Sequence, residues 1–193
     1  KVNENLDLLQ RIYDFGFINK ISFTDPVTPT LSLTPLQLSL NSSLLTGAID
    51  GAYKVTINGI ATTDQVASAP NNLLVSAFGA TAVTDTATNI VSSLDRLESL
   101  AIGSLVSSIS VSDGVPLVVS DFQSIADARA LAKVTADALI DIVVNASNET
   151  LTGFGANTTA VFSGVSSTFK VSAIDANTPV SYTHLTLPTI LLV

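Results

Sequence analysis

An internal repeat of about 88 residues constrains the fold of this chain more than any other feature of its sequence. Four blocks match in the same order, namely 2–9 with 90–97, 21–25 with 109–113, 34–37 with 120–123 and 55–58 with 142–145. The offsets are 88, 88, 86 and 87, and the differences fall in turns, where insertions are tolerated. The alternative is coincidental apolar patterning in two unrelated helix–strand pairs. We predict two repeats, residues 1–88 and 89–179.

Residues 84–113 are the best-defined part of the repeat and are typical of a capped helix followed by a strand. Apolar residues recur at the spacing of one helical face, at Ile90, Leu94, Leu97 and Ala101. Asp85 is expected to cap the N-terminus of this helix, where a carboxylate also offsets the helix dipole. Gly103 suits its C-terminus. The sequence therefore predicts one amphipathic helix between these two residues.

A strand is predicted directly after this helix. Ile109 and Val111 alternate with serines, so one face of the strand is expected to be buried and the other small and polar. The first repeat has the same order, with its strand beginning at Ile21. Because Val2 aligns with Ile90, the first repeat is expected to be N-terminally truncated, beginning inside its first helix.

A second helix is predicted to start in the same way in both repeats. Thr34 with Gln37, and Ser120 with Gln123, have the spacing of a capping box. In the second repeat an apolar stripe is predicted through Phe122, Ile125, Ala128, Ala132 and Leu139. Short strands are predicted beside these helices at 31–33, 53–57, 117–119 and 140–144.

A third, looser unit follows in each repeat, at 61–85 and 148–175, and is expected to be more β than α. It includes a turn at 70–72, and its strands are predicted near 81–83, 159–162 and 169–173. Aspartate or asparagine ends successive strands at Asp25, Asn58, Asp85, Asp113, Asn145 and Asp175, at intervals of 27 to 33 residues. The pattern predicts an α/β fold, a repeat solenoid of helix–strand units with a mainly parallel sheet. The alternative is a compact α/β sandwich in which the two repeats pair.

The composition restricts the partners that such a chain can have. The net charge is −8 and only 12% of residues are charged, which argues against nucleic acid, whose recognition needs a basic surface. The chain contains no cysteine, so its stability must come from packing and not from disulfides. An acidic, cysteine-free, Ser/Thr/Ala-rich composition favours an extracellular or bacterial cell-surface location. No apolar run reaches the roughly 18–20 residues of a membrane span.

Residues 180–193 break the repeat pattern where a further helix is expected. The string VSYTHLTLPTILLV resembles the translated adapter sequence found at the ends of proteins predicted from metagenomic assemblies. We expect it to be an artefactual tail that is foreign to the fold. The alternative is a genuine edge strand.

Three blocks, 85–95, 108–113 and 128–134, carry a resemblance to known proteins. They resemble the long Ala/Thr/Val-rich tandem repeats of large bacterial secreted or surface proteins, which often accompany RTX-type or adhesin-like modules. The resemblance implies a structural or adhesive spacer of an exported protein, and it brings no catalytic residues. The RTX calcium motif G-G-x-G-x-D is absent, so calcium binding is not implied for this segment.

No catalytic, cofactor-binding or metal-ligating residues are predicted. Outside the tail the chain has no histidine and no cysteine, which removes a Ser-His-Asp triad and Cys/His metal sites. The strand-end aspartates could form a glycosidase-like acid pair or a calcium site, but their repetition favours turn formation and helix capping.

The expected function is therefore that of a non-enzymatic structural or adhesive repeat segment of a large exported bacterial protein, without a cofactor. Its expected partners are neighbouring repeats of the same chain and cell-surface or matrix ligands. The alternatives are a fragment of a carbohydrate-active β-helix-like enzyme that uses strand-edge aspartates, and a calcium-binding module.

Overall fold

The computed structural model describes residues 2–69, 80–144, 154 and 157–162. After a 3₁₀ turn at Asn3–Asn5, the helices are α1 Leu6–Asp14, α2 Pro35–Leu40, α3 Ser42–Gly47, α4 Thr63–Ser68, α5 Ala87–Ser92, α6 Leu94–Ile102, α7 Asp121–Ala126 and α8 Ala128–Leu131. The strands are β1 Ile21–Ser22, β2 Thr30–Leu33, β3 Ile49–Asp50, β4 Lys54–Ile57, β5 Ile60–Ala61, β6 Thr81–Asp85, β7 Val106–Val111, β8 Leu117–Ser120, β9 Ile140–Val144 and β10 Thr158–Phe162.

The described strands form four small parallel sheets, with the orders β1-β3, β2-β4, β5-β6-β7 and β8-β9-β10. The predicted α/β class and parallel pairing are confirmed. The single mainly parallel sheet of the prediction is replaced by these four short ones. Most paired strands are separated along the chain by at least one helix, as parallel pairing requires.

The parallel pairing aligns the residues of one strand with those of a strand that follows the intervening helices. Leu31 pairs with Val55 and Val83 pairs with Ile109, in two different sheets. All four side chains are at most 3% exposed, and in each sheet the facing aliphatic residues therefore stack on one another. Burial of such side chains contributes roughly 1.5–3 kcal/mol each. The strands share the core with the helices, which contribute Leu6, Leu44, Leu97 and further fully buried side chains.

The helices are shorter than the sequence predicts. The helix predicted between Asp85 and Gly103 is two helices, α5 and α6, separated at Ser93. Its predicted apolar stripe is nevertheless correct, since all four stripe residues are buried. The second helix of the first repeat also divides, at Asn41, and that of the second repeat divides at Asp127. These last two positions correspond at an offset of 86.

The apolar stripe predicted for the second helix of the second repeat is wrong. Phe122 and Ile125 are 74% and 62% exposed, and Leu139 lies beyond the helices and is 47% exposed. The buried positions on α7 are instead Asp121 and Ser124. The helix ends at Ala126, so a stripe drawn through a continuous helix no longer follows one face.

The third unit of the first repeat contains a helix that the sequence pattern does not predict. Helix α4 begins after Thr62, whose hydroxyl accepts a hydrogen bond from the backbone N–H of Gln65. The Gln65 side chain accepts one in return from the Thr62 backbone N–H, which completes a capping box. Val66 then faces the core. The expectation that this unit is more β than α is therefore wrong for residues 63–68.

Several predictions lie outside the described residues: the turn at 70–72, the strand-end Asn145, most of the third unit at 148–175 with its strand at 169–173 and Asp175, and the tail at 180–193. The boundaries at 88 and 179 stay predictions. Among the described helices, none has the length and apolar character needed to cross a membrane.

Candidate functional site

Asp85, at the end of β6, has both carboxylate oxygens engaged by hydrogen bonds. Its Oδ2 accepts from the backbone N–H of Thr63 at 2.9 Å and from the Thr63 hydroxyl at 2.6 Å. Its Oδ1 accepts from the Thr86 N–H and from the Asn89 side chain, each at 2.8 Å. Partial burial raises the pKa of Asp85, but these hydrogen bonds outweigh it and lower the pKa to about 2.

The predicted capping role of Asp85 needs correction, because the N-cap of α5 is Thr86. The Thr86 hydroxyl accepts from the backbone N–H of Asn89 at 3.3 Å. Asp85 instead reaches backward to Thr63, the first residue of α4. It therefore satisfies an N–H that helix geometry leaves without an intrahelical partner. Its carboxylate joins two successive units.

Asp113, which follows β7, makes the corresponding contact one unit later. Its two oxygens lie 3.3 and 3.2 Å from the backbone nitrogen of Ala87, the first residue of α5. Its Oδ1 also accepts from the Val115 N–H at 3.2 Å and so forms the turn that follows. The structural role that the repetition favours for these two aspartates is thus present as hydrogen bonds.

Asp25 has different surroundings. It lies in a shallow open cleft together with Phe23, Pro29 and Asp50. Asp50 forms an exposed ion pair with Lys20 at 2.5 Å, and the Phe23 ring packs near Tyr53 with centroids 6.2 Å apart. Asp25 therefore shares a surface depression with a second carboxylate, but it does not join the hydrogen bonds made by Asp85 and Asp113.

Buried polar side chains join the first and second helices of each repeat. In the first repeat, the Gln10 Oε1 accepts a hydrogen bond from the backbone N–H of Leu44 at 3.0 Å. In the second repeat, the Glu98 Oε2 accepts one from Ala130 at 2.8 Å. The residue pairs correspond at offsets of 88 and 86. Sequence reasoning missed these buried groups, although the same alignment, extended by one residue past Leu97, places Gln10 on Glu98.

Beside Glu98, the second repeat buries a further carboxyl. Asp127 is 1% exposed, and among the described residues its Oδ2 has no hydrogen-bond partner. Burial is the largest cause that raises the pKa of Asp127 to about 6, and the charges of Asp95 and Glu98 and a hydrogen bond with the Asp95 side chain raise it further. These three carboxyls form the acid cluster of the second repeat.

Metal binding has no support from side-chain geometry in the described part of the chain. Over residues 2–69, 80–144, 154 and 157–162, no group of three or more His, Cys, Asp or Glu side chains is arranged to hold a metal ion.

Comparison with protein-family models, with curated proteins and with solved structures found no match.

Proposed function

We propose that this chain is a non-enzymatic structural or adhesive repeat segment of a large exported bacterial protein. In this proposal the helix–strand units stack as an α/β solenoid, and neighbouring repeats of the same chain are its first partners. Its surface would present an extended, weakly charged face to cell-surface or matrix ligands.

The observation that carries the proposal is the recurrence of one buried contact in both repeats. The side chains of Gln10 and Glu98 extend from the first helix of each repeat toward the second. They accept hydrogen bonds from the backbone N–H groups of Leu44 and Ala130 respectively. A contact that recurs at the repeat interval supports a structural role, because a single active site has no need of a second copy.

The contacts between units support the stacked arrangement. Helix α2 packs against α4, α4 against α6, and α6 against α8, so each helix contacts one from a neighbouring unit. Asp85 links the first residue of α4 to Asn89 in α5 of the next unit, and Asp113 holds the first residue of α5 from the end of the following strand. Nearest-neighbour contacts of this kind are what solenoid proteins use for stability.

The roles of the aspartates also favour a structural function. Asp85 accepts four hydrogen bonds from the protein, and its pKa of about 2 makes it a poor proton donor near neutral pH. A general acid for glycoside cleavage needs a raised pKa instead.

Small-angle X-ray scattering of the full chain tests the stacked arrangement. A compact domain of 193 residues has a radius of gyration of about 16 Å. We expect a clearly larger value, independent of protein concentration, with a pair-distance distribution skewed as for a rod. A value near 16 Å with a symmetric distribution would support the compact sandwich and contradict the proposal.

Measurements in calcium and with polysaccharides test the non-enzymatic part. We expect the melting temperature to be the same in millimolar CaCl₂ and in EDTA, and no new reducing ends from β-linked polysaccharides. Calcium-dependent stabilisation would instead indicate a calcium module. Sugar release that the Asp113→Asn variant abolishes would indicate an enzyme.

A further inference from the structure

The two repeats differ in the chemistry of one side-chain pair, in which a buried residue faces an exposed aspartate. In the first repeat, the Asn41 amide donates a hydrogen bond to the Asp7 carboxylate at 2.8 Å, and Asn41 is 1% exposed. The corresponding residues of the second repeat are Asp127 and Asp95, at offsets of 86 and 88. An amide–carboxylate pair in one repeat is therefore a carboxyl–carboxyl pair in the other.

The backbone around this pair is the same in both repeats. The N–H of Asn41 donates to the Gln37 carbonyl, and its own carbonyl accepts from Leu45. Asp127 makes the equivalent bonds to Gln123 and from Leu131. Both residues sit at the break between two short helices and face the first helix of the repeat. The substitution thus changes the side-chain chemistry while the local backbone is retained.

A second amide-to-acid difference in the same place is compensated by charge. In the first repeat, the Gln10 Nε2 donates to the Ser43 hydroxyl at 2.6 Å. In the second repeat, the Glu98 Oε1 lies 3.5 Å from the Arg129 guanidinium, and Arg129 corresponds to Ser43 at an offset of 86. In the first repeat the first helix supplies the donor, whereas in the second repeat the donor is Arg129 on α8. The negative charge of Glu98 is therefore paired with a positive charge.

Asp127 has no such compensation. The charged groups that face it are Asp95 and Glu98 from α6, and Glu98 is itself paired with Arg129 on α8. A carboxylate cannot donate a hydrogen bond, whereas a protonated carboxyl can. Only the protonated form of Asp127 therefore reproduces the donation that Asn41 makes to Asp7.

We propose that Asp95 and Asp127 form a proton-dependent contact between α6 and the break between α7 and α8. In mildly acidic conditions one shared proton forms a hydrogen bond between the two carboxyls, and the contact weakens when that proton is lost. The first repeat, with Asn41 in place of the acid, makes the same contact through an amide that has no proton to lose in this range. The second repeat is thus the half of the chain whose stability responds to pH near 6 through this pair.

The direction of the effect follows from the proton balance. The pKa of Asp127 is raised from 3.8 to about 6, so between these values the folded state binds the proton more tightly than the unfolded state does. The stability that this proton contributes is complete below about pH 4 and is lost as the pH rises through about 6. Acidification to about pH 5 should therefore stabilise the second repeat, which is opposite to the usual effect of acid on paired carboxylates.

The test is the melting temperature of the full chain at pH 4 to 8, measured for the wild type and for Asp127→Asn. The wild type should lose stability as the pH rises from about 4 to about 6 and level off above it. Asp127→Asn should remove this dependence and raise the folding equilibrium constant at pH 7 by about 10- to 100-fold, corresponding to a shift of one to two pKa units. Asp95→Asn, which restores an amide donor from the other side, should act in the same direction.

The reverse substitution in the first repeat is the matched control. Asn41→Asp should install an acid pair with Asp7 and add a second loss of stability as the pH rises, because two like charges then face each other. Hydrogen exchange at the Leu131 amide, corrected for its intrinsic pH dependence, should report the opening in the wild type and not in Asp127→Asn. Parallel melting curves for the wild type and Asp127→Asn from pH 4 to 7, or an Asn41→Asp variant with the pH profile of the wild type, would overturn the proposal.

Discussion

The carboxylate of Asp113 accepts a hydrogen bond from the backbone N–H of Ala87, 26 residues earlier in the chain. The two residues continue the parallel register in which Asp85 faces Val111. Asp85 itself bears the same relation to Thr63. A strand-end aspartate thus holds the first residue of the helix that precedes its strand, and the same contact recurs in the next helix–strand unit.

Replacing Asp85 by asparagine should lower the free energy of unfolding by about 1–3 kcal/mol at pH 7. The amide keeps the size of the side chain but loses the charge and part of the acceptor capacity, which leaves donors on Thr63 or Thr86 without a full partner. Asp64→Asn on the exposed side of α4 is the control and should change stability by less than about 0.5 kcal/mol. Urea unfolding measures both variants, and equal effects would contradict the bridging role.

The same residue should contribute to acid unfolding of the wild type. Because its pKa is lowered from 3.8 to about 2 in the folded state, the stability it provides is complete above about pH 4 and is lost as the pH falls toward 2. Urea titrations at pH 5, 4, 3 and 2 should therefore show a steeper loss below pH 4 for the wild type than for Asp85→Asn. Identical slopes would contradict the lowered pKa.

Thr62→Ala should destabilise the chain by about 1 kcal/mol, because it removes the N-cap of α4 and the capping box with Gln65. Thr88, which is exposed within α5, provides a control of the same chemistry in Thr88→Ala. The control should be neutral or slightly stabilising, since alanine is the better helix former. Circular dichroism during thermal unfolding distinguishes the two, and a neutral Thr62→Ala would mean that the cap contributes nothing.

The elements that the sequence predicts well are those determined by local chemistry. The capping boxes at Thr34 and Ser120 are present because both partners lie within four residues of each other. The strands predicted at 31–33, 117–119 and 140–144 are close to the observed β2, β8 and β9. Short apolar runs bounded by turn residues are typical of buried strands.

What the sequence could not give is which face of a helix is buried once tertiary contacts compete with periodicity. The apolar side chain of Phe122 is exposed, while Asp127 is buried. Asp127 is buried because its backbone lies at the break between α7 and α8, next to Glu98 on α6. The contact of Asp85 with Thr63 depends on strand register, which the spacing of strand-end residues alone does not determine.

Mutation can test which face of α7 is buried. Phe122 is 74% exposed, so Phe122→Ser should change stability by no more than about 0.5 kcal/mol. Leu131 is fully buried, so Leu131→Ala should lower the free energy of unfolding by about 2–5 kcal/mol. If Phe122→Ser were as destabilising as Leu131→Ala in urea unfolding, the apolar stripe through Phe122 would be the buried face after all.

The turn between β4 and β5 offers a further test, because it needs a backbone conformation that L-residues rarely adopt. Gly59 has a φ of +112°, and a Cβ added there would lie 3.7 Å from the Cδ of Pro35. Gly59→Ala should therefore lower stability by about 1–2 kcal/mol, and the cause is backbone strain, since the added methyl has room.

Gly103 is the matched control, because it ends α6 with a φ of −77° and its added Cβ would meet only ordinary contacts, from about 3.4 Å. Gly103→Ala should be neutral or stabilise by up to about 1 kcal/mol, since alanine restricts the unfolded chain. The difference between the two variants, measured by urea unfolding at one pH, isolates the strain at Gly59 from the general effect of losing a glycine. Equal stabilities would mean that the turn relaxes to a negative φ, and the β4–β5 connection would then have to move away from Pro35.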